Sequence, residues 1–204
     1  MPRITKDPEE RRKEILDTAE ELFMKNGYEN TAISDIVKTL GVAQGTFYYY
    51  FKSKNEIVNA ILERFMDTLF RNSISILQEP GLNSKDKIQN IVRALLSLSR
   101  DRGELVLFMH DKKNELIHYR IAQKYIESFF PVMSSLVRQG LSEGLFEMEY
   151  PDGVTRILLT GIMQYLHDDN DIFTNEAKLM ERMKTMEYLM NKVFGVKGQG
   201  FSFS

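Results

Sequence analysis

The chain reads as all-helical, and three observations carry that reading. Apolar residues recur at spacings of three and four, as at Ile33, Ile36, Val37 and Leu40, and no run alternates apolar and polar residues as a half-buried strand would. The periodic stretches are separated by helix starts and stops, among them Asp7-Pro8-Glu9-Glu10, Gly27, Gly41, Ser53-Lys54-Asn55-Glu56 and Pro80-Gly81. At 204 residues and 43% hydrophobic content the chain can bury a real core, and it shows no internal repeat and no low-complexity block. The expected architecture is a three-helix helix-turn-helix domain over 1–54 followed by a larger helical domain over 55–204.

Met1 to Lys6 carries Arg3 and Lys6 and reads as a frayed terminus ahead of a phosphate-seeking arm. An Asp cap, Pro at the first helical position and glutamates in the first turn then start a helix that runs to about Asn26. Its inward residues are Ile15, Ala19, Leu22 and Phe23, and Gly27 ends it.

The stretch TAISDIVKTLGVAQGTFYYYFKSK, residues 31–54, reads as two short helices around a tight turn and the start of a third. Thr31 is the expected N-cap of the first. Gly41 ends that helix in a left-handed conformation, and Val42 packs back into the corner. In the second, from about Ala43 to Tyr50, Phe47 and Phe51 fall on one face with Tyr50 beside them. Gln44, Gly45, Thr46, Tyr48 and Tyr49 are left outside. Ser53 and Glu56 form a capping box that puts Lys52 and Lys54 where backbone N–H groups already favour a phosphate.

A helix-turn-helix lays its second helix in the major groove. Gln44 can pair with adenine there, the Thr46 methyl can touch thymine, and Gly45 admits a close backbone approach. The expected DNA face is Thr31, Ser34, Ala43, Gln44, Gly45, Thr46, Tyr48, Tyr49, Tyr50, Lys52 and Lys54.

With Gly41, Val42, Gly45, Thr46, Phe47, Tyr48, Tyr50, Phe51 and Lys54 in place, the run resembles the DNA-binding domain of the TetR family of bacterial transcription regulators. The likeness extends back through Ala19, Leu22, Phe23, Gly27 and Tyr28 and covers about the first quarter of the chain. Two departures stand out. Many members carry Ser or Thr where this chain has Ala43, which removes a side-chain cap from the recognition helix. Many carry Arg where it has Ser34.

Net charge is −2 and the isoelectric point is near 6.0, an unusual balance for a nucleic-acid binder. Placement matters more than the sum. Through Lys54, nine basic residues balance nine acidic ones, but past Ser34 the motif holds only Asp35 as an acid. The expectation is modest non-specific affinity with steep salt dependence. The absence of cysteine excludes disulfide and thiol chemistry. No Gly-rich phosphate loop, His-x-x-x-His pair or serine elbow points to an enzyme. The opening MPRITKDPEERRKE has no apolar core and no stretch approaches the length of a membrane span, so a soluble, cytoplasmic protein is expected.

Beyond the motif, a long helix from Asn55 to about Gln78 aligns Ile57, Ile61, Phe65, Leu69 and Ile76. Asn83 or Ser84 caps the next, which runs to about Arg100, and a short apolar helix over Glu104 to His110 follows. Lys113 to about Gly140 reads as one helix kinked at Pro131. GLSEGLF, 140–146, resembles a turn of TetR-like chains. Pro151 opens a helix to about His167, and a last helix spans Thr174 to Phe194 ahead of a Gly-containing tail with Phe201 and Phe203.

The resemblance implies that the last two helices pair with their mates in a homodimer, which presents two reading heads to a palindromic operator of double-stranded DNA. The stripes assigned to pairing are Val154, Leu158, Gly161, Ile162, Met183, Met186 and Met190. The resemblance also implies a small ligand inside the larger domain that releases the protein from DNA, and no cofactor. Phe65, Phe108, Tyr119, Tyr125, Phe129, Met133, Met163 and Tyr165 are the candidate lining, and their mix favours an apolar or aromatic ligand. As metal ligands, His110 and His118 are eight residues apart with a helix break between them, and the run His167 to Asp171 lacks the Gly and distal Glu of an EF-hand loop and reads as a solvated inter-helix loop. The function expected is a ligand-responsive repressor. The competing readings are an architectural helix-turn-helix protein that senses nothing and, less favoured, a helical enzyme.

Overall fold

The computed structural model describes residues 7–101, 115–167 and 175–203. Among them every regular element is an α-helix: α1 (Pro8–Asn26), α2 (Ile33–Leu40), α3 (Gln44–Tyr50), α4 (Lys54–Leu77), α5 (Ser84–Asp101), α6 (Glu115–Ser142), α7 (Pro151–His167) and α8 (Glu176–Val193). The expected helix over Glu104 to His110 and the acidic run Asp168 to Asp171 lie outside the described residues, as does His110. No helix among the described residues is long and apolar enough to cross a membrane.

The helices begin and end for local reasons. The Asp7 carboxylate accepts the Glu9 N–H at 2.8 Å, and Gly27 closes α1 at φ 82°. Gly41 ends α2 in the left-handed conformation, with the Val42 N–H donating to the Val37 carbonyl. Asn83 caps α5 by accepting the Asp86 N–H at 2.9 Å, and Asn175 caps α8 by accepting the Lys178 N–H at 3.2 Å. The last helix therefore starts two residues later than the spacing predicts, at Glu176.

The chain divides into two compact units, one through Phe65 and one from Met66 onward. The division falls inside α4, whereas the sequence places it at the end of the motif, at Lys54. The first turns of α4 stay with the N-terminal unit because Ile57, Val58, Ile61, Leu62 and Phe65 are all buried.

In the N-terminal unit α1 packs on α2 and α2 on α3. Ile15, Leu16, Ala19, Phe23, Ile36, Val37, Phe47 and Phe51 form its core. Arg64 on α4 pairs with Asp17 and Glu20 on α1, which draws two of that helix's acids onto a cation.

In the C-terminal unit α6 packs against α5 and α7, and α7 against α8. Pro131 lies within α6, exposed, and the helix continues through it to Ser142. Asp152 at the start of α7 accepts from Ser134 and Arg138 on α6. Gly140 lies so close to the Phe146 ring that a Cβ there would overlap it, and Gly144 turns the chain at φ 73°. The GLSEGLF turn thus folds a buried phenylalanine back onto α6.

Candidate DNA-reading face and effector unit

The face of the N-terminal unit is built from α3 outward. Phe47 and Phe51, one turn apart, are fully buried, with ring centroids 6.0 Å apart. The Arg12 guanidinium lies over the Phe51 ring at 5.0 Å. Burying those rings turns the opposite side of the short helix to solvent. Gln44 and Gly45 are exposed there and Tyr49 is 78% exposed. Tyr48 is also exposed, braced edge-on against Phe47 at 5.6 Å, and the half-buried Tyr50 lies edge-on to Tyr49 at 4.9 Å. Ala43 provides no side-chain cap, in keeping with its chemistry. Thr46 is half-buried, and Ser34 and Lys52 are exposed.

Three assignments need correction. Thr31 is not a cap: it is 1% exposed, and its hydroxyl donates to the carbonyls of Leu22 and Gly27 at 3.2 and 2.9 Å, tying the end of α1 to the start of α2. Ala32 takes the cap position instead, and Asp35 reaches back to accept its N–H at 2.8 Å, so the lone acid of the motif is used internally.

Lys54 does not stand free for a phosphate. Its ammonium donates to the carbonyls of Tyr28 and Thr31 at 2.7 and 3.1 Å and lies 4.0 Å from the Tyr28 ring centroid. Burial pulls its pKa below the ordinary value against the opposing charge of Glu29. Tyr28 completes the anchor by donating to Asn55, and burial, then Glu29, raises its phenol.

The capping box is also rearranged. Ser53 accepts the Glu56 N–H at 3.1 Å as expected, but Glu56 accepts from Lys52 N–H at 2.6 Å and not from Ser53. The exposed Lys52 side chain is left as the cation of this corner. Arg3 and Lys6 lie outside the described residues.

The candidate ligand residues scatter more widely. Tyr125 stacks on the buried Phe129 at 4.4 Å, and Phe70 meets Phe129 edge-on at 5.9 Å. Burial pushes the Tyr125 phenol well above its ordinary value. Met133 is buried on α6, Met163 is half-buried on α7, and Phe65 is buried in the N-terminal unit. Tyr119 is exposed. Tyr165 lies at the α7–α8 junction, its ring under the Arg182 guanidinium at 4.6 Å. Phe108 lies outside the described residues. Phe70 also belongs to the cluster; directly after Leu69, it falls off the stripe of Ile57, Ile61, Phe65 and Leu69 that apolar periodicity marks.

The pairing stripe is corrected most. Met183, Met186 and Met190 are buried within the single chain, as is Leu158, while Val154 and Ile162 are half-buried. Of the expected set only Gly161 is exposed. The large apolar side chains that face outward on these helices are Ile157, 73% exposed, Tyr188, 66% exposed, Leu189 and, at the margin, Tyr165. The methionine spacing marked the inner face of α8, and the outer face is a mixed stripe that apolar periodicity does not register. Among the described residues no group of three or more His, Asp or Glu side chains could hold a metal ion; the side chains of His118 and His167 lie outside them.

Residues 15–61 match the family of bacterial regulatory proteins described as the tetR family. The chain is 24% identical over 148 residues to the HTH-type transcriptional repressor KstR2 of Mycolicibacterium smegmatis, covering 71% of this chain and 72% of that one. In fold it is similar to a TetR-family regulator from Pectobacterium atrosepticum, with a TM-score of 0.72 at 19% identity over 94% of this chain and 97% of the other. It is also similar to the regulator FadR of Bacillus subtilis in complex with stearoyl-CoA, with a TM-score of 0.64 at 21% identity over 91% and 99%.

Proposed function

Starting from a chain that belongs to the tetR family of bacterial regulatory proteins, we propose that it is a repressor that reads a palindromic operator as a homodimer and leaves it when a small apolar ligand binds. The observation that carries the DNA reading is the solvent face of α3. Gln44, Gly45, Tyr48 and Tyr49 stand together there because Phe47 and Phe51 are driven inward. Side chains of this kind at the start of a recognition helix meet base edges, and Lys52 and Ser53 beside them meet phosphates.

Pairing is assigned to the outer faces of α7 and α8, through Ile157, Gly161, Tyr188 and Leu189. The two-fold axis then sets two α3 helices against two half-sites. The ligand is assigned to the C-terminal unit around Phe70, Tyr125 and Phe129, where stacked rings and a phenol held neutral favour an apolar or aromatic molecule. FadR, a similar fold, binds stearoyl-CoA, so long acyl compounds head the ligand screen. Release follows if the ligand favours a form whose reading heads no longer fit the operator.

The test is fluorescence anisotropy on DNA from upstream of the protein's own gene, as a salt series. Saturable, sequence-selective binding is expected. Gln44→Ala should cost about 1–3 kcal/mol on the operator alone. Lys52→Ala should weaken binding to every duplex and lower the salt slope by about one. Equal binding to any duplex would overturn the operator reading. Stabilisation of the protein only by hydrophilic, charged metabolites would overturn the ligand class.

A further inference from the structure

Neither DNA contact nor pairing uses residues 195–203, yet they are held along their length. Gly195, at φ 55°, lies so close to the Glu147 carbonyl that a side chain would overlap it. The Lys197 N–H donates to the Leu145 carbonyl at 3.0 Å. Gly198 turns the chain at φ 82°, and residues 199–203 then run back along α8.

Three successive amides are taken by side chains. Asn191 accepts the Phe201 N–H at 2.7 Å and donates to the Phe201 carbonyl at 3.4 Å, a two-point clamp on the main chain of one residue. Gln89 on α5 accepts the Ser202 N–H at 2.9 Å, and Glu187 accepts the Phe203 N–H at 2.5 Å. Lys85 on α5 donates to the Gln199 carbonyl at 3.0 Å.

The spacing is regular. Glu187 and Asn191 are four residues apart on α8, as are Lys85 and Gln89 on α5. Four helical residues rise about 6 Å, close to the roughly 6.6 Å that two extended residues span. On α8 one helix turn therefore meets alternate residues, Phe203 and Phe201, while on α5 it meets Gln199 and Ser202, three residues apart. Phe201 and Phe203 fall on one side of that chain and are both buried, and Phe201 meets Phe146 and Phe194 at about 6 Å. At Gly200 a Cβ would overlap the Asn191 carboxamide. These are the features of a peptide-recognition groove: paired main-chain clamps, alternate side-chain sites and a position where a Cβ would press on the clamping side chain.

We propose that the groove between α5 and α8 is a recognition site for an extended Gly-Phe-x-Phe peptide segment, occupied here by the chain's own residues 200–203 as a displaceable intramolecular ligand. The segment is held by side chains, and Gly195 and Gly198 before it supply backbone joints, so it can leave while α8 stays formed. Its tether gives it a high effective concentration, which keeps the groove closed to weak competitors. Glu187 and Asn191 flank Tyr188 and Leu189, so exchange of the segment acts beside the outer face of α8.

The first measurement is hydrogen exchange on the unaltered protein. The amides of Phe201, Ser202 and Phe203 are expected to exchange at least tenfold faster than those of Met186 and Met190, with a rate insensitive to low denaturant, as for local opening. Exchange only together with α8 would make the segment a fixed part of the core and overturn the proposal. The second uses a fluorescent peptide of sequence Gly-Gln-Gly-Phe-Ser-Phe-Ser. It should bind the full-length Phe201→Ser, Phe203→Ser variant saturably and the unaltered protein at least tenfold more weakly, and adding Asn191→Ala to the variant should abolish binding. No binding to the folded variant, or equal binding to variant and unaltered protein, would overturn it. Should the variant not fold, the exchange pattern decides.

Discussion

Gly45 sits exposed near the start of α3, and no atom outside its own helix lies within 4 Å of where a Cβ would be. Gly45→Ala should therefore leave stability unchanged or raise it by up to about 1 kcal/mol, the helix propensity difference. If α3 reads DNA as proposed, the added methyl meets the duplex at a close approach. Operator affinity is expected to fall tenfold or more while the urea midpoint holds or rises. Unchanged affinity would place the contact elsewhere on α3. The exposure of Gly45, Gln44 and Tyr49 is legible in sequence because a period of 3.6 residues that buries Phe47 and Phe51 leaves only one side for them. Lys54 and Thr31 are not legible in this way. Their partners are carbonyls of Tyr28, Gly27 and Leu22, and a carbonyl carries no sequence signal. The lysine of a recognised motif thus proves to be a tie within the domain.

At the scale of elements, the junction of α5 and α6 shows how small residues and one carboxylate join helices. Gly140→Ala would ordinarily stabilise a helix, but here the methyl overlaps the Phe146 ring. A loss of about 1–3 kcal/mol is expected from overpacking, read as a lower urea midpoint with unchanged slope. Glu143 accepts the N–H and hydroxyl of Ser84, the first residue of α5, at 3.0 and 2.7 Å. Burial acts to raise its pKa, but the Ser84 and Gln139 hydrogen bonds and the charge of Lys87 prevail and hold it below the ordinary 4.5. Its contribution to stability is therefore present above about pH 4.5 and lost as pH falls through the lower folded value. Glu143→Gln should flatten the fall in stability as pH drops below about 4.5; an unchanged acid profile would show that the carboxylate is not coupled to folding. Sequence predicted the capping of α5 by Asn83 or Ser84, and the structure divides the work: Asn83 caps, while Ser84 docks on Glu143, just past the end of α6. Boundaries governed by caps and glycines were readable, but the partner of Ser84 lies 59 residues away.

For the whole molecule the open question of assembly becomes a choice between two faces of the same helices. Met183, Met186 and Met190 are core, so Met186→Ala should cost about 2–5 kcal/mol of stability without changing the oligomeric state of the folded protein. Ile157→Asp with Tyr188→Asp, both on exposed positions, should leave the subunit folded and convert a dimer to monomers in sedimentation velocity. Operator affinity should fall with it, since one reading head cannot engage two half-sites. A dimer that persists in the double variant would move the pairing face off α7 and α8.

By itself the sequence determined the helical class, the order of the helices, the turn at Gly41 and the solvent face of α3. Each follows from local rules: periodicity, capping and the left-handed freedom of glycine act within a few residues of one another. Tertiary structure alone decided that α8 turns its methionines inward, that Lys54 and Thr31 serve the fold, and that Phe201 and Phe203 return to bury themselves along α8. A helix has an apolar stripe whether its neighbour is its own chain or another, and the stripe looks the same in both cases. Only the packing of distant segments shows which surface is already filled.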